Sequence, residues 1–156
     1  FSTSVGASGI ETCILADPGH YVDSIGASSQ SECPAGTYNP SIGAFSSTQC
    51  ILSDVGYFVP SEGQSEQTIC PAGSYQPQTA SSECLLANPG TYSSAGATST
   101  SPCLAGSYQN EAGQSGCLDA DIGHYTSSPG SSPSACASPR GEWCTSPATS
   151  STASSR

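Results

Sequence analysis

A short pattern, glycine with an aromatic ring two residues on, recurs eight times in this chain: PGHY (18–21), PAGTY (34–38), VGYF (55–58), PAGSY (71–75), PGTY (89–92), LAGSY (104–108), IGHY (122–125) and RGEW (140–143). Between these copies sits a second glycine signal, in IGAS (25–28), IGAF (42–45), EGQS (62–65), AGAT (95–98), AGQS (112–115) and PGSS (129–132). Two kinds of half-repeat alternate. One has a cysteine three residues before its glycine, at Cys33, Cys70 and Cys103; the other has Ala16, Ser53, Ala87 or Ala120 there. A sustained internal period means that each position recurs in equivalent surroundings, so the fold is a row of similar small units. Glycine before a ring reads as a tight turn, with the ring packing on the neighbouring unit. Tyr21, Tyr38, Phe58, Tyr75, Tyr92, Tyr108, Tyr125 and Trp143 are therefore expected to form a stacking spine.

Composition explains why such a chain needs help to fold. Only 35% of the 156 residues are apolar, 9% are charged, and Gly (17), Pro (12) and a Ser/Thr share of about three in ten fill much of the rest. Burial alone does not offset the conformational entropy of so polar a chain, and nine cysteines are the obvious covalent supplement. Breakers are too frequent for helix, while HYVDS (20–24), TYNPS (37–41) and SYQPQ (74–78) read as strands of two to four residues. The expected fold is small, disulfide-rich and all-β or irregular, with almost no helix: an elongated, solenoid-like rod of short β-hairpin repeats.

The charge balance excludes whole classes of function. Two Arg and no Lys stand against twelve acids, a net charge of −10. No basic face is available for nucleic acid, an anionic membrane surface repels the chain, and no run of about 18 apolar residues exists to insert in a bilayer. No nucleophile motif or zinc-type cysteine spacing occurs, so no catalytic residue, cofactor or metal ligand is assigned. His20 and His124 share one slot with Tyr57 and Thr91, which argues for simple exposure. Asp17, Asp54, Asn88 and Asp121 stand two residues before the turn glycine and read as Asx turns or caps; one carboxylate per repeat does not converge on calcium.

Spacing alone leaves two cysteine pairings open. One closes the long halves (Cys13–Cys33, Cys50–Cys70, Cys84–Cys103, Cys117–Cys136) and leaves Cys144 over. The other closes the short halves (Cys33–Cys50, Cys70–Cys84, Cys103–Cys117, Cys136–Cys144) and leaves Cys13 over.

The strings CPAGTY (33–38) and CPAGSYQPQTASSEC (70–84) resemble the ephrin-receptor-like cysteine-rich repeat, itself similar to modules of tumour-necrosis-factor-receptor type. The resemblance covers nearly residues 5–136. It implies that each opening cysteine bonds its own closing cysteine, which selects the second pairing. In the alternate units the closing positions of that frame are Gln30, Gln67, Thr100 and Pro133, so both members of each pair are missing together. Each bridge would close a loop of about 15 residues, contributing ~3 kcal/mol in the chain-entropy description.

In the same frame Cys13 is a closing cysteine, unpaired or bonded to another subunit, and residues 1–13 form the second half of a repeat. Residues 14–136 are the tandem half-repeats, with a full period of roughly 33–37 residues. Residues 137–144, which close CASPRGEWC (136–144), are an aberrant terminal unit and 145–156 a Ser/Thr-rich disordered or mucin-like tail. Uncapped half-units expose a stacking face, so head-to-tail self-association into a filament is expected. No N-glycosylation sequon is usable, since Asn39 precedes Pro40 and Asn88 and Asn110 lack the hydroxyl residue. O-glycans are expected at hydroxyls such as Ser101, Ser128, Ser132, Ser138, Ser146 and Thr149.

The leading functional expectation is a secreted or cell-surface, non-enzymatic structural protein, acting as a stalk or as the repeating subunit of an extracellular glycofibre. The alternative is a ligand- or adhesion-binding segment of a receptor ectodomain, with Arg140 and Trp143 as its most distinctive cluster.

Overall fold

A computed structural model describes residues 13–122 and 124–130, and Cys136–Ala137 through backbone pairing. The described secondary structure is almost wholly two-residue strands: β1 His20–Tyr21, β2 Ser31–Glu32, β3 Thr37–Tyr38, β4 Ile51–Leu52, β5 Tyr57–Phe58, β6 Thr68–Ile69, β7 Ser74–Tyr75, β8 Leu85–Leu86, β9 Thr91–Tyr92, β10 Ser101–Pro102, β11 Ser107–Tyr108, β12 Leu118–Asp119, β13 Tyr125–Thr126 and β14 Cys136–Ala137. Each odd strand pairs antiparallel with the strand after it. One 3-10 turn, Ser47–Gln49, is the described helical element.

The glycine that precedes each odd strand explains its shape. Asp17-Pro18-Gly19-His20 is closed by the His20 N–H donating to the Asp17 carbonyl at 3.0 Å, with Gly19 at φ +83°. That is the geometry of a type II turn, whose third residue needs a positive φ. The same amide-to-carbonyl closure recurs at Thr37, Tyr57, Ser74, Thr91, Ser107 and His124.

The chain falls into two compact units, Phe1–Ile69 with Gln76–Cys84, and Cys70–Tyr75 with Leu85–Arg156. In the first unit the amides of Gly19, Gly36 and Gly56 donate to the carbonyls of Asn39, Val59 and Gln76 at 2.7–2.9 Å. In the second, Gly73, Gly90 and Gly106 donate to Ser93, Gln109 and Thr126 at 2.7–3.1 Å. Each bond joins the opening turn of one hairpin to the residue three past the turn glycine of the next, at or just beyond the end of its first strand. Adjacent hairpins are thus tied by backbone, and a chain with few apolar side chains still satisfies its buried peptide groups.

The buried core is correspondingly thin and small. It consists of Ala16, Cys33, Ala44, Val59, Cys70, Ala87 and Cys103, joined by Thr37, Asn39, Ser53, Ser74, Gln76, Ser93, Gln109 and Thr126. Two columns account for most of these: the position three residues before the turn glycine, and the position three after it. The expected aromatic spine sits differently. Tyr21, Tyr38, Phe58, Tyr75, Tyr92 and Tyr108 are half-buried and Tyr125 is exposed. The rings flank the packed line, whose places are taken by the residues three before and three after each turn glycine. Trp143 lies outside the described residues.

Candidate functional site: staples, clasps and turn contacts

Cys33 bonds Cys50 and Cys103 bonds Cys117, each with a Cα–Cα separation of 5.7 Å. Cys70 and Cys84 are disulfide-bonded as well. The opening cysteines Cys33, Cys70 and Cys103 are fully buried, so each staple anchors the hairpin's loop to the packed column. Cys13 is free and exposed. Cys144 and the side chain of Cys136 lie outside the described residues.

Two of the alternate hairpins are fastened by a pair of side chains instead of a disulfide. In the first, the Asp17 N–H donates to Gln30 Oε1 at 2.8 Å, and Gln30 Nε2 donates back to Asp17 Oδ2 at 2.8 Å. In the third, the Asp54 N–H donates to Gln67 Oε1 at 2.7 Å, and Gln67 Nε2 donates to Asp54 Oδ2 at 2.8 Å. Gln30 and Gln67 occupy the closing positions that carry cysteine elsewhere. A two-point polar clasp therefore spans the hairpin where the covalent staple is absent. The carboxylates of Asp17 and Asp54 serve this clasp, which corrects the Asx-turn expectation: the turn itself is closed by the backbone carbonyl. The signal was present in the sequence as an Asp and a Gln thirteen residues apart, twice. Hairpin β9–β10 has Asn88 and Thr100 in those places, and Thr100 is too short to make the same reciprocal pair.

Staple and clasp also differ in what faces the ring. Across the stapled hairpins Tyr38 sits opposite Ile51, Tyr75 opposite Leu85 and Tyr108 opposite Leu118. In the others Tyr21 sits opposite Ser31, Phe58 opposite Thr68 and Tyr92 opposite Ser101. Aromatic–aliphatic cross-strand pairs contribute a few tenths to about 1 kcal/mol each, so the stapled hairpins gain packing across the strands as well.

Buried amides complete the loops. Gln76 Nε2 donates to the Glu83 carbonyl at 2.7 Å and its Oε1 accepts from the Gln78 N–H. Gln109 does the same with the Gly116 carbonyl and the Glu111 N–H. Asn39 fills that slot in the second hairpin; its Oδ1 accepts from the Ser41 N–H, but the shorter side chain leaves Nδ2 buried without a partner. Ser93 Oγ is the other buried polar atom of this kind among the described residues.

His20 is half-buried rather than exposed, with Nδ1 3.1 Å from the Pro18 carbonyl and Nε2 3.7 Å from Glu32 Oε1; His124 is exposed. No cluster of three His, Cys, Asp or Glu positioned for a metal occurs among the described residues. No helix there is long and apolar enough to cross a membrane. Ser101 and Ser128 are exposed, whereas Ser132, Ser138, Ser146 and Thr149 lie outside the described residues.

Hairpins of one register, every second one stapled and two of the others clasped, tied turn to turn, define a disulfide-rich repeat protein. The model of one family, described as tyrosine-protein kinase ephrin type A/B receptor-like, matches residues 3–50 and 90–136. That is more than half of the chain, and the chain belongs to this ephrin-receptor-like family of cysteine-rich repeats. The hairpins β5–β6 and β7–β8 fall between the matched stretches yet repeat the same register and turns. A comparison with curated proteins finds no match. Disulfide-bonded repeats of this kind belong to an oxidising, extracellular or cell-surface setting.

Proposed function

We propose that this chain is a non-enzymatic extracellular structural protein, a stalk or the repeating subunit of an extracellular fibre, elongated and coated with O-glycans. The observation that carries this reading is the monotony of the backbone ties: six turn glycines donate to the equivalent carbonyl of the following hairpin. A surface built for one ligand departs from its repeat at one place; a scaffold keeps it. Exposed hydroxyls such as Ser101 and Ser128 would carry sugar, and self-association head to tail would extend the scaffold. Negative-stain microscopy of the native material tests this directly. Continuous filaments or long thin stalks are expected, and discrete compact particles would overturn it.

A second reading is favoured by the family itself, whose description names a receptor: a ligand- or adhesion-binding segment of a cell-surface ectodomain. In that case replacing Arg140 and Trp143 abolishes binding to a partner, whereas in a scaffold the same changes leave filament length unaltered.

A further inference from the structure

Gly43, Gly63, Ala80, Gly96, Gly113 and Gly130 hold one place in successive hairpin loops. Their amides donate to the carbonyls of Ala16, Cys33, Ser53, Cys70, Ala87 and Cys103 in the hairpin before, at 2.7–2.9 Å. Around this fixed point the loop of hairpin β3–β4 departs from the others. Two residues on, the rest carry Ser65, Ser82, Thr98, Ser115 and Ser132, and this loop carries Phe45. The closing position lies four residues on at Gln67, Cys84, Thr100 and Cys117, but seven on at Cys50.

The additional length is built into structure. It forms the 3-10 turn Ser47–Gln49, whose cap Ser46 accepts from the Thr48 N–H at 3.2 Å. Gln49 Oε1 accepts from the Phe45 N–H at 2.7 Å, which fixes the backbone that carries the ring. The ring itself is 74% exposed, the most exposed aromatic described. Ile42 and Leu15, both at 67%, stand at the same turn. Leu15 packs against Gly43, with its Cδ2 3.3 Å from the place a Cβ there would take. The ties from Gly19 to Asn39 and from Gly36 to Val59 run through this hairpin unchanged, so the departure adds to the scaffold without altering it. Apolar side chains exposed singly are ordinary; a ring held out by an inserted, capped turn beside two aliphatics marks a contact surface.

Charge selects the kind of partner. Residues 13–130 contain ten Asp and Glu and neither Lys nor Arg. Two of the acids, both exposed, flank the patch. Asp17 follows Ala16, whose carbonyl holds the Gly43 amide, and Asp23 follows Val22, whose amide donates to the Ala44 carbonyl at 2.9 Å. Like charge disfavours a second copy on this face. A guanidinium, by contrast, stacks on an aromatic face and is drawn to carboxylates at the same time. We propose that the Phe45 loop is a docking site for an arginine-bearing segment of a partner protein. The guanidinium stacks on Phe45, Asp17 and Asp23 supply the opposing charge, and an aliphatic side chain beside the arginine covers Leu15 and Ile42. This site depends on neither the stalk nor the receptor reading.

The test is an NMR titration of the full oxidised chain with the peptide acetyl-Leu-Arg-Leu-Arg-amide in about 0.15 M salt, where distant charges are screened. Shifts are expected to concentrate in residues 14–23 and 42–49. Phe45→Ser, which gives this loop the residue most of the others carry, is expected to weaken binding at least about threefold with an unchanged disulfide map. The same peptide with lysine in place of arginine is expected to bind more weakly than the arginine form. Shifts spread evenly over all the carboxylates, with no loss in Phe45→Ser, would mean charge attraction alone and overturn the site. Equal binding of acetyl-Leu-Glu-Leu-Glu-amide overturns it too, by removing the role of charge. So does self-association of the unaltered chain that Phe45→Ser abolishes, because the patch would then be a contact between copies.

Discussion

At Ala80 the repeat departs from its own rule, since the loops of the other described hairpins carry a positive-φ glycine at this place. Ala80 holds φ +59°, the one described non-glycine residue in the left-handed region. Left-handed backbone costs a residue with a Cβ about 1 kcal/mol or more, partly offset by the extra freedom glycine has when unfolded. Ala80→Gly is thus expected to stabilise the chain by roughly 0.5 kcal/mol, as a shift in a urea midpoint. Ser93 offers a second gain. Its buried hydroxyl has no partner, so Ser93→Ala removes a desolvated polar group and is expected to be neutral or stabilising by up to about 1 kcal/mol. Gln67 points the other way. Gln67→Ala strips both bonds of the Asp54 clasp, which in a solvent-exposed setting costs about 1 kcal/mol. Gln67→Glu is expected to cost more, because two carboxylates then face one another.

Among hairpins, fastening differs where shape does not. The staple between Cys103 and Cys117 spans 14 residues; replacing both by alanine is expected to cost about 3 kcal/mol in thermal unfolding. Hairpin β9–β10 has no staple between positions 87 and 100 and, with Asn88 and Thr100, no reciprocal clasp. It should open first. Amide hydrogen exchange is expected to show its least protection within residues 91–102, below both the stapled β7–β8 and β11–β12. Equal protection across all three would mean that the ties between neighbouring hairpins, and not the fastenings within them, set local stability. Gly73→Ala tests those ties: the new methyl meets the Gly113 carbonyl, and with the positive φ this is expected to cost at least about 2 kcal/mol.

For the molecule as a whole, the balance of forces is unusual. Its buried side chains are mostly alanine, serine, cysteine and amides, which contribute little apolar area per residue. Backbone ties and staples take over. Stability then depends on neighbours, as in other repeat proteins, where each unit adds its own term and an interface term.

How much of this was written in the residues can be judged position by position. The period, the hairpins, the near-absence of helix and the family resemblance all follow from glycine, ring and cysteine spacing, because positive-φ turns and short loops are local and name their residues. The closing positions Gln30 and Gln67 were legible too, though only as places where cysteine was missing. What they do there was not, since a clasp with Asp17 or Asp54 requires the two strands to be already in register. The same holds for the packed line. The rings caught the eye in the sequence, yet Asn39, Val59, Gln76, Ser93, Gln109 and Thr126 are enclosed instead. Which column is enclosed depends on one turn lying over another from two hairpins away, a distance along the chain that no local spacing encodes.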